Sequence, residues 1–223
     1  MPRVGVFGGS FNPIHFGHLL LADEICEVLV LDRLLFVPAG EPPHKPAKDL
    51  APAHDRFQMT ALAVREHPRF EACDVELRRA GPSYTVRTVE ALRDLGDLHL
   101  VMGSETFLDL LNWRDPTQIA RLARLVIVPR NRTAFDAQSP AVVKVLRELG
   151  LPDFVSVTTD GTRPSSSVAE ASPRSPLLVR AASLPISGSD LRRRAREGLS
   201  LAYRMPAPVA AYVKDRGLYR DNA

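Results

Sequence analysis

The sequence predicts an α/β fold in which a doubly wound parallel sheet carries helices on both faces. Short apolar runs typical of buried strands alternate along the chain with segments whose apolar residues recur at helical spacing. Glycine-rich or polar loops follow the apolar runs, at the edge where such a sheet binds its ligands. These observations predict one crevice beyond the carboxyl ends of the strands.

The predicted strands and helices follow one another from the N-terminus. The strands are Val4–Phe7, Leu34–Val37, Phe70–Val75, Leu98–Met102 and Arg124–Val128. A first helix is predicted to begin near Phe16, a second near Asp55, and a third behind Ser83, a residue type that favours helix N-caps. The loops expected to line the crevice are Gly8–His18, Pro38–Lys45, Gly103–Trp113 and the segment from Pro129 onward.

Length and composition favour a single domain spanning residues 1–223. Within it, 11 of the 19 residues from Thr158 to Pro176 are Ser, Thr or Pro, which predicts a flexible surface insertion at 158–176. Residues 187–219 are interpreted as a small C-terminal helical region.

Charge and cysteine content restrict the function classes. A formal net charge of +3 is too small to indicate nucleic-acid binding, although it suits a protein that handles polyanionic small molecules. Cys26 and Cys73 lie in apolar stretches, which favours reduced thiols over a disulfide framework. Charged residues interrupt the most apolar region, Leu19–Pro38, so we expect neither a signal peptide nor a membrane span and place the protein in the cytoplasm. The oligomeric state stays open, with a homo-oligomer allowed.

The segment Gly8–His18 has the chemistry of a phosphate-binding loop. Gly8 and Gly9 allow a sharp turn and a close approach of the backbone to a ligand. If the next helix begins as predicted, His15 and His18 lie over its N-terminus, whose unpaired amides and positive dipole end favour an anion. A plain tight turn and a zinc site are weaker interpretations, because the histidines are present and no further ligand stands at suitable spacing.

This segment resembles the Gly-x-Phe-x-Pro-x-x-x-Gly-His signature of a nucleotidyltransferase superfamily, the HxGH enzymes. The resemblance implies that His15 and His18 bind the phosphates of ATP. It also implies a Rossmann-like form of the doubly wound sheet. The loop residues assigned to the nucleotide are Gly8, Gly9, Ser10 and Phe11.

A second phosphate motif is predicted at Ile186–Arg192. Ser187 is a predicted helix N-cap, and the segment is similar to the Ile-Ser-Ser-Thr-x-Ile-Arg motif of the same superfamily. The similarity implies phosphate binding by Arg192. It also implies ATP contacts by Ile186, Ser187 and Ser189. Gly188 replaces the second Ser of the motif, and an ordinary capped helix with an Arg-rich solvent face is the alternative interpretation.

Three further segments resemble the nicotinate mononucleotide adenylyltransferase family: Pro42–Lys45, Pro82–Thr85 and Met102–Trp113. The resemblance implies that the indole of Trp113 stacks on the nicotinate ring. It also implies that backbone amides near Thr85 and Arg114 receive the nicotinate carboxylate. His44 and Tyr84 are assigned to the same mononucleotide site.

The same resemblance assigns Lys45, Gly103 and Glu105 to the ATP side of the crevice. Lys45 follows two prolines on a stiff loop that can close over the phosphates as a lid. Glu105 stands where the family has Asp to hold a ribose hydroxyl, and its carboxylate is one methylene further from the backbone.

The implied activity is adenylyl transfer from ATP to nicotinate mononucleotide, which yields deamido-NAD and pyrophosphate in NAD biosynthesis. The residues assigned to catalysis are His15, His18, Lys45 and Arg192, because the reaction mainly requires two polyanions to be aligned and the charge on the leaving pyrophosphate to be neutralised. No carboxylate cluster stands out, so Mg²⁺ is expected to arrive with ATP, and no protein metal site is predicted.

Other functions stay open at this stage. A phosphopantetheine adenylyltransferase shares the histidine loop but needs no ring-stacking indole, and a non-catalytic nucleotide sensor would bind ATP without releasing pyrophosphate. An RNA-binding relative would require a strongly basic face, which the sequence does not indicate. The sequence also leaves open the choice between the acid and the amide mononucleotide.

Overall fold

The computed structural model describes residues 1–44, 46, 50–129, 135–158, 172 and 174–220. Seven strands lie in these residues: β1 (Arg3–Gly9), β2 (Arg33–Pro38), β3 (Phe70–Ala72), β4 (Asp97–Gly103), β5 (Ala123–Val128), β6 (Val155–Thr158) and β7 (Leu177–Arg180). They form one sheet in the order β3-β2-β1-β4-β5-β7-β6, and every neighbouring pair is parallel.

Eight α-helices lie in the same residues: α1 (Phe16–Val28), α2 (Ala53–Val64), α3 (Thr85–Leu92), α4 (Ser104–Leu108), α5 (Pro116–Leu122), α6 (Pro140–Leu149), α7 (Gly188–Arg196) and α8 (Ala207–Asp215). Short 3₁₀ turns at Arg93–Leu95 and Leu110–Asn112 follow α3 and α4.

Alternate residues of β2 divide the hydrophobic core between the two faces of the sheet. Leu34 and Phe36 belong to a buried cluster with α1, α2, α7 and α8, whereas Leu35 and Val37 pack with α3, α4, α5 and α6. Successive side chains of a strand point to opposite faces of the sheet. Since helices cover both faces here, all four side chains are buried. The predicted α/β class, with a doubly wound parallel sheet and helices on both faces, is confirmed.

The strand order places a switch point beside β1. This strand pairs with β2 on one side and with β4 on the other, so the chain builds the two halves of the sheet outward from β1. Such a switch point opens a crevice at the carboxyl ends of the two central strands. Here those ends are Gly8–Gly9 of β1 and Met102–Gly103 of β4.

The structure contains each predicted strand and adds two that the sequence did not predict. β3 ends at Ala72 rather than at Val75. The additional strands, β6 and β7, have only four residues each and border the segment rich in Ser, Thr and Pro. Runs this short give little periodicity from which to predict a strand.

The prediction that Ser83 caps the third helix is wrong. α3 begins at Thr85, and its N-cap is Tyr84, which makes no side-chain capping bond. The Ser83 hydroxyl instead accepts a 3.1 Å hydrogen bond from the backbone N–H of Glu41. Ser83 therefore ties the loop before α3 to the loop that leaves β2.

The C-terminal region consists of two short helices, α7 and α8, separated by non-helical residues 197–206. Helix α8 packs on α2, and its buried residues Val209 and Val213 join the cluster beneath α1 and α2. Most of the insertion predicted at 158–176 lies outside the described residues, which omit 159–171 and 173.

Cys26 and Cys73 are both free thiols. Cys26 is fully buried on α1, and this burial raises the pKa of its thiol to about 12. A thiol with so high a pKa is unreactive near neutral pH. Of the helices that the structure describes, none has the length and apolar character needed to cross a membrane.

His99 on β4 is a buried imidazole. Its side chain is 7 % exposed, and its Nδ1 lies 3.0 Å from the backbone oxygen of Asp97. Burial lowers the pKa of His99 below its ordinary value of 6.5, because desolvation disfavours the charged imidazolium. At pH values below this ordinary value, the unfolded chain therefore binds a proton at His99 more readily than the folded chain does.

We expect the free energy of unfolding to fall as the pH drops from about 7 to about 5, and to fall less steeply in His99→Gln. The neutral His99 imidazole contributes fully to the free energy of unfolding at pH values above its pKa in the unfolded chain. This contribution falls by up to about 1.4 kcal/mol per pH unit as the pH drops toward the lower pKa of His99 in the folded chain. Urea unfolding across this range measures the slopes, with His54→Gln as the control that removes an exposed imidazole. Equal slopes for the wild type and His99→Gln would contradict the prediction.

Candidate active site

A cavity of about 830 Å³ opens at the switch point of the sheet. It is lined by all nine residues that the sequence assigned to ATP: Gly8, Gly9, Ser10, Phe11, Gly103, Glu105, Ile186, Ser187 and Ser189. Three of the four residues assigned to catalysis also line it: His15, His18 and Arg192. The fourth, Lys45, lies outside the described residues. The fold thus brings together the two phosphate motifs from opposite ends of the chain.

The buried ring of Phe11 anchors the phosphate loop, residues 8–18, in the core. Its backbone adopts a left-handed φ of 43°, and its ring, 3 % exposed, lies 5.6 Å from Phe7 and 5.7 Å from Phe36 between centroids. Burial of the aromatic ring offsets the cost of the left-handed backbone. A Cβ at position 9 would lie 3.1 Å from the Phe11 ring, so Gly9 provides the space that the ring occupies.

His15 and His18 stack on each other at the N-terminus of α1. His15 is the N-cap and His18 is the third residue of the helix, which begins at Phe16 as predicted. The centroids of the two imidazoles are 3.7 Å apart, and their planes are inclined by 27°. A Cβ at Gly17 would lie 3.0 Å from Nδ1 of His15, so the glycine in this motif leaves room for the ring.

A backbone contact determines which nitrogen of His18 carries the proton. Nδ1 of His18 accepts a 3.3 Å hydrogen bond from the backbone N–H of His15. A neutral imidazole that accepts at Nδ1 is protonated at Nε2. His18 therefore presents an N–H donor beside the amides of the first helical turn, an arrangement suited to binding an anion.

The second motif is held against the phosphate loop by Arg192. Ser187 caps α7 as predicted, since its Oγ accepts a 3.2 Å hydrogen bond from the backbone N–H of Asp190. Nη1 of Arg192 donates to the backbone oxygen of Asn12 at 2.9 Å, and Nη2 donates to Oγ of Ser189 at 3.4 Å. The guanidinium thus joins the two motifs and supplies a permanent positive charge to the cavity.

Gly188, the position where the chain departs from the superfamily motif, lies against this junction. A Cβ at position 188 would be 3.1 Å from the backbone oxygen of Asn12 and 3.4 Å from Nη1 of Arg192. A serine would therefore crowd the hydrogen bond between Arg192 and Asn12. Gly188 allows these two groups to approach as closely as they do.

Asn12 connects the phosphate loop to three distant parts of the chain. Its Oδ1 accepts hydrogen bonds from the backbone N–H of Ala51 at 3.0 Å and from the Tyr219 hydroxyl at 2.9 Å, and its backbone oxygen accepts the bond from Arg192. From the sequence, Tyr219 was placed in the C-terminal helical region, residues 187–219, and was assigned no contact with the phosphate loop. The role of its hydroxyl was missed because no local pattern places Tyr219 next to Asn12.

The segment that follows β7 forms a further part of the cavity that sequence reasoning missed. Because β7 pairs in parallel with β5, its carboxyl end lies at the same edge of the sheet as the other loops. The apolar run Leu177–Val179, which is fully buried, was the available signal for this strand. The lining residues in question are Ala181, Ala182, Ser183, Leu184 and Pro185.

The residues assigned to the mononucleotide do not line this cavity: His44, Tyr84, Thr85, Trp113 and Arg114. The Arg114 guanidinium nevertheless lies 5.0 Å from the centroid of the Tyr84 ring, so four of these five residues are close to one another. Thr85 and Trp113 are the chain neighbours of this pair. Trp113 is partly buried against the core cluster beneath α3, and His44 is exposed.

Carboxylates are scarce around the cavity. Among the described residues that line it, Glu105 is the only acidic one. Nowhere in the described ranges do three or more His, Cys, Asp or Glu side chains form a group that could hold a metal ion. The imidazoles, hydroxyls and guanidinium of the cavity do not fit a Mg²⁺ ion held by the protein, since Mg²⁺ prefers carboxylate, phosphate and water oxygens.

Known sequences resemble this chain over nearly its full length. Residues 6–194 match a family model described as cytidylyltransferase-like. A protein of Roseiflexus sp. (strain RS-1) named "Probable nicotinate-nucleotide adenylyltransferase" is 37 % identical over 219 residues, which cover 97 % of this chain and 98 % of the relative. A protein of the same name from Thermus thermophilus is 39 % identical over 222 residues, with coverage of 98 % and 100 %.

Solved structures share the fold. The nicotinic acid mononucleotide adenylyltransferase of Plasmodium falciparum complexed with NaAD matches with a TM-score of 0.70 and 16 % identity over 98 % of both chains. The same enzyme complexed with APC matches with a TM-score of 0.66 over the same share of each chain. The chain therefore belongs to the cytidylyltransferase-like family and, within it, to the nicotinate-nucleotide adenylyltransferases.

Proposed function

We propose that the protein transfers the adenylyl group of ATP to nicotinate mononucleotide, which yields deamido-NAD and pyrophosphate in NAD biosynthesis. The observation that carries this proposal is the convergence of the stacked His15 and His18 rings and the Arg192 guanidinium on one cavity at the switch point. All three groups offer N–H donors suited to phosphoryl oxygens. Family membership supports the identity of both substrates.

The triphosphate of ATP is proposed to lie between the N-termini of α1 and α7. Amides at both helix ends, together with the Ser187 and Ser189 hydroxyls, would bind phosphate oxygens there. Gly103 and Glu105 at the end of β4 are proposed to contact the ribose. Mg²⁺ is proposed to enter as part of the substrate, bound to the ATP phosphates, because the cavity has a poor donor set for it.

The reaction joins an oxygen of the mononucleotide 5′-phosphate to the α-phosphorus of ATP. The bond from that phosphorus to the bridging oxygen of the β-phosphate breaks, and its electron pair leaves with pyrophosphate. The attacking phosphate is already ionised near neutral pH, so a general base is not required. His15, His18 and Arg192 are proposed to bind the oxygens whose negative charge grows during this step. Lys45 is proposed as a further cation on the sequence resemblance alone.

The mononucleotide is proposed to bind beside the contact between Tyr84 and Arg114. The Trp113 indole would stack on the nicotinate ring, and the amides at the start of α3, near Thr85, would receive its carboxylate. His44 is proposed as an additional contact from the loop that leaves β2. We further propose that the protein acts in the cytoplasm on these two small molecules, without a nucleic-acid or membrane partner.

Pyrophosphate release tests the proposed reaction. Mg-ATP is offered with nicotinate mononucleotide, its amide counterpart or phosphopantetheine in separate assays, and the acid mononucleotide is expected to give the fastest release. Release with phosphopantetheine alone would identify a different transferase. ATP binding without pyrophosphate release from any acceptor would identify a nucleotide sensor and contradict the proposal.

His18→Ala is expected to lower kcat by about 10²–10³, because it removes a donor that acts on the charge developing in the transition state. Steady-state pyrophosphate release measures this loss. His54→Ala is the matched control, since it removes an exposed imidazole on α2 that does not line the cavity. Near-native turnover of His18→Ala would remove this residue from the chemistry.

Trp113→Ala is expected to raise KM for the mononucleotide by roughly twofold to tenfold, the factor that corresponds to the loss of one aromatic stacking contact. KM for ATP should stay close to the wild-type value, because Trp113 is proposed to touch only one substrate. Trp113→Phe keeps a flat ring and is expected to recover part of the affinity. Equal increases in both KM values would instead show that Trp113 acts through the core.

A further inference from the structure

Arg56 is a buried cation that does not line the cavity and belongs to neither phosphate motif. It lies on α2, and only 1 % of its surface is exposed. Its guanidinium donates to three backbone oxygens, those of Ala51 at 2.9 Å, Ser10 at 2.9 Å and Gly40 at 3.1 Å. Each bond uses a different nitrogen: Nε donates to Ala51, Nη1 to Ser10 and Nη2 to Gly40.

The three oxygens belong to two loops at the edge of the cavity. Ser10 is part of the phosphate loop. Gly40 follows β2 and Ala51 precedes α2, and the described residues between these two elements, 39–44, 46 and 50–52, are called the loop after β2. Two backbone amides join the same loops, since Ala39 donates to the Gly9 oxygen at 2.9 Å and Ala51 donates to Oδ1 of Asn12 at 3.0 Å. Arg56 thus forms the side-chain part of a joint between the phosphate loop and the loop after β2.

Burying the Arg56 charge costs free energy, and only an arginine side chain can donate these three hydrogen bonds in these directions. Burial lowers the pKa of the Arg56 guanidinium, and the nearby Tyr219 and Glu76 oppose that shift, yet an arginine remains charged in proteins. Neutral carbonyl oxygens compensate a buried cation less well than a carboxylate does. A lysine has a single nitrogen and cannot reach three oxygens in fixed directions from one side chain.

Gly40 also lies close to the backbone of Glu76. A Cβ at this position would lie 2.8 Å from the backbone oxygen of Glu76, which is backbone and cannot rotate away. The Gly40 oxygen is therefore fixed by Arg56 while its Cα is fixed by the segment that contains Glu76. Contacts on two atoms of Gly40 thus restrict the start of the loop after β2.

We propose that Arg56 is a positioning residue that fixes the loop after β2 to the phosphate loop, so that the phosphates of the two substrates meet in line. The inference rests on the proposed function, because the loop after β2 contains His44, which Lys45 follows in the sequence, and these two residues are assigned to the mononucleotide and to catalysis. Arg56 acts through the backbone of these loops and touches neither substrate. Misalignment of reacting groups by about 1 Å can cost 10²-fold in rate, so a displaced joint should act on kcat.

The test compares Arg56→Lys with Gly40→Ala, which disturbs the same joint from the side of the loop. Both variants are expected to lower kcat per folded molecule by roughly 10-fold to 100-fold, with a smaller change in KM for ATP. A purely structural residue would lower the folded fraction and leave the kcat of the folded molecules unchanged. Arg124→Lys is the control, because Arg124 is partly buried and its guanidinium also donates to backbone oxygens, those of Ser172 and Ser175, outside the cavity.

Hydrogen exchange of the wild type and the variants gives a readout that does not depend on activity. The amides of Ala39 and Ala51 should exchange at least about tenfold faster in Arg56→Lys than in the wild type, and at unchanged rates in Arg124→Lys. Unchanged exchange at both amides, or wild-type kcat in folded Arg56→Lys or Gly40→Ala, would overturn the inference. A wild-type protein that releases no pyrophosphate would contradict the proposed function, while the exchange rates would still decide whether Arg56 holds the two loops together.

Discussion

The hydrogen bond between the Arg192 guanidinium and the backbone oxygen of Asn12 is the contact on which the proposed site depends. It joins residues that are 180 positions apart and brings a helix N-terminus from each end of the chain to one cavity. The burial of Leu191 in one cluster with Phe11 and Ile14 holds the same two motifs together by apolar packing. With these contacts, the imidazole pair and the guanidinium face the same volume at the carboxyl edge of the sheet. Gly188 lies against the hydrogen bond, and a Cβ at that position would be 3.1 Å from the Asn12 oxygen and 3.4 Å from Nη1 of Arg192.

Contacts other than those with α7 also fix the phosphate loop. Asn12, Tyr219, Ala51 and Arg56 connect it to the C-terminal segment and to the start of α2. Most of these contacts use backbone or buried polar groups and fix the position of the loop that carries His15 and His18. A preorganised donor set of this kind stabilises developing charge without reorganising during the reaction. The second group, around Tyr84 and Arg114, lies in the segments after β3 and β4 and outside the lining of the cavity, which is consistent with separate positions for two substrates.

The sequence predicted the parts of the fold and site that depend on local patterns. The apolar runs predicted the first five strands, the glycines and histidines indicated a loop that lines the cavity, and Ser187 was predicted as a helix N-cap. The parts it did not predict depend on contacts distant in sequence or on very short elements. β6 and β7 have four residues each, Ser83 bonds to the Glu41 amide rather than capping a helix, and Arg56 on its own resembles any charged residue of an amphipathic helix. The burial of Arg56 and the bond between Tyr219 and Asn12 are known only once the chain is folded.

The most direct measurement is a crystal structure of the protein with Mg²⁺ and a non-hydrolysable ATP analogue. The proposed site predicts triphosphate oxygens within about 2.7–3.2 Å of N–H donors from the imidazole pair of His15 and His18 and from Arg192. A triphosphate bound away from those three side chains would contradict it.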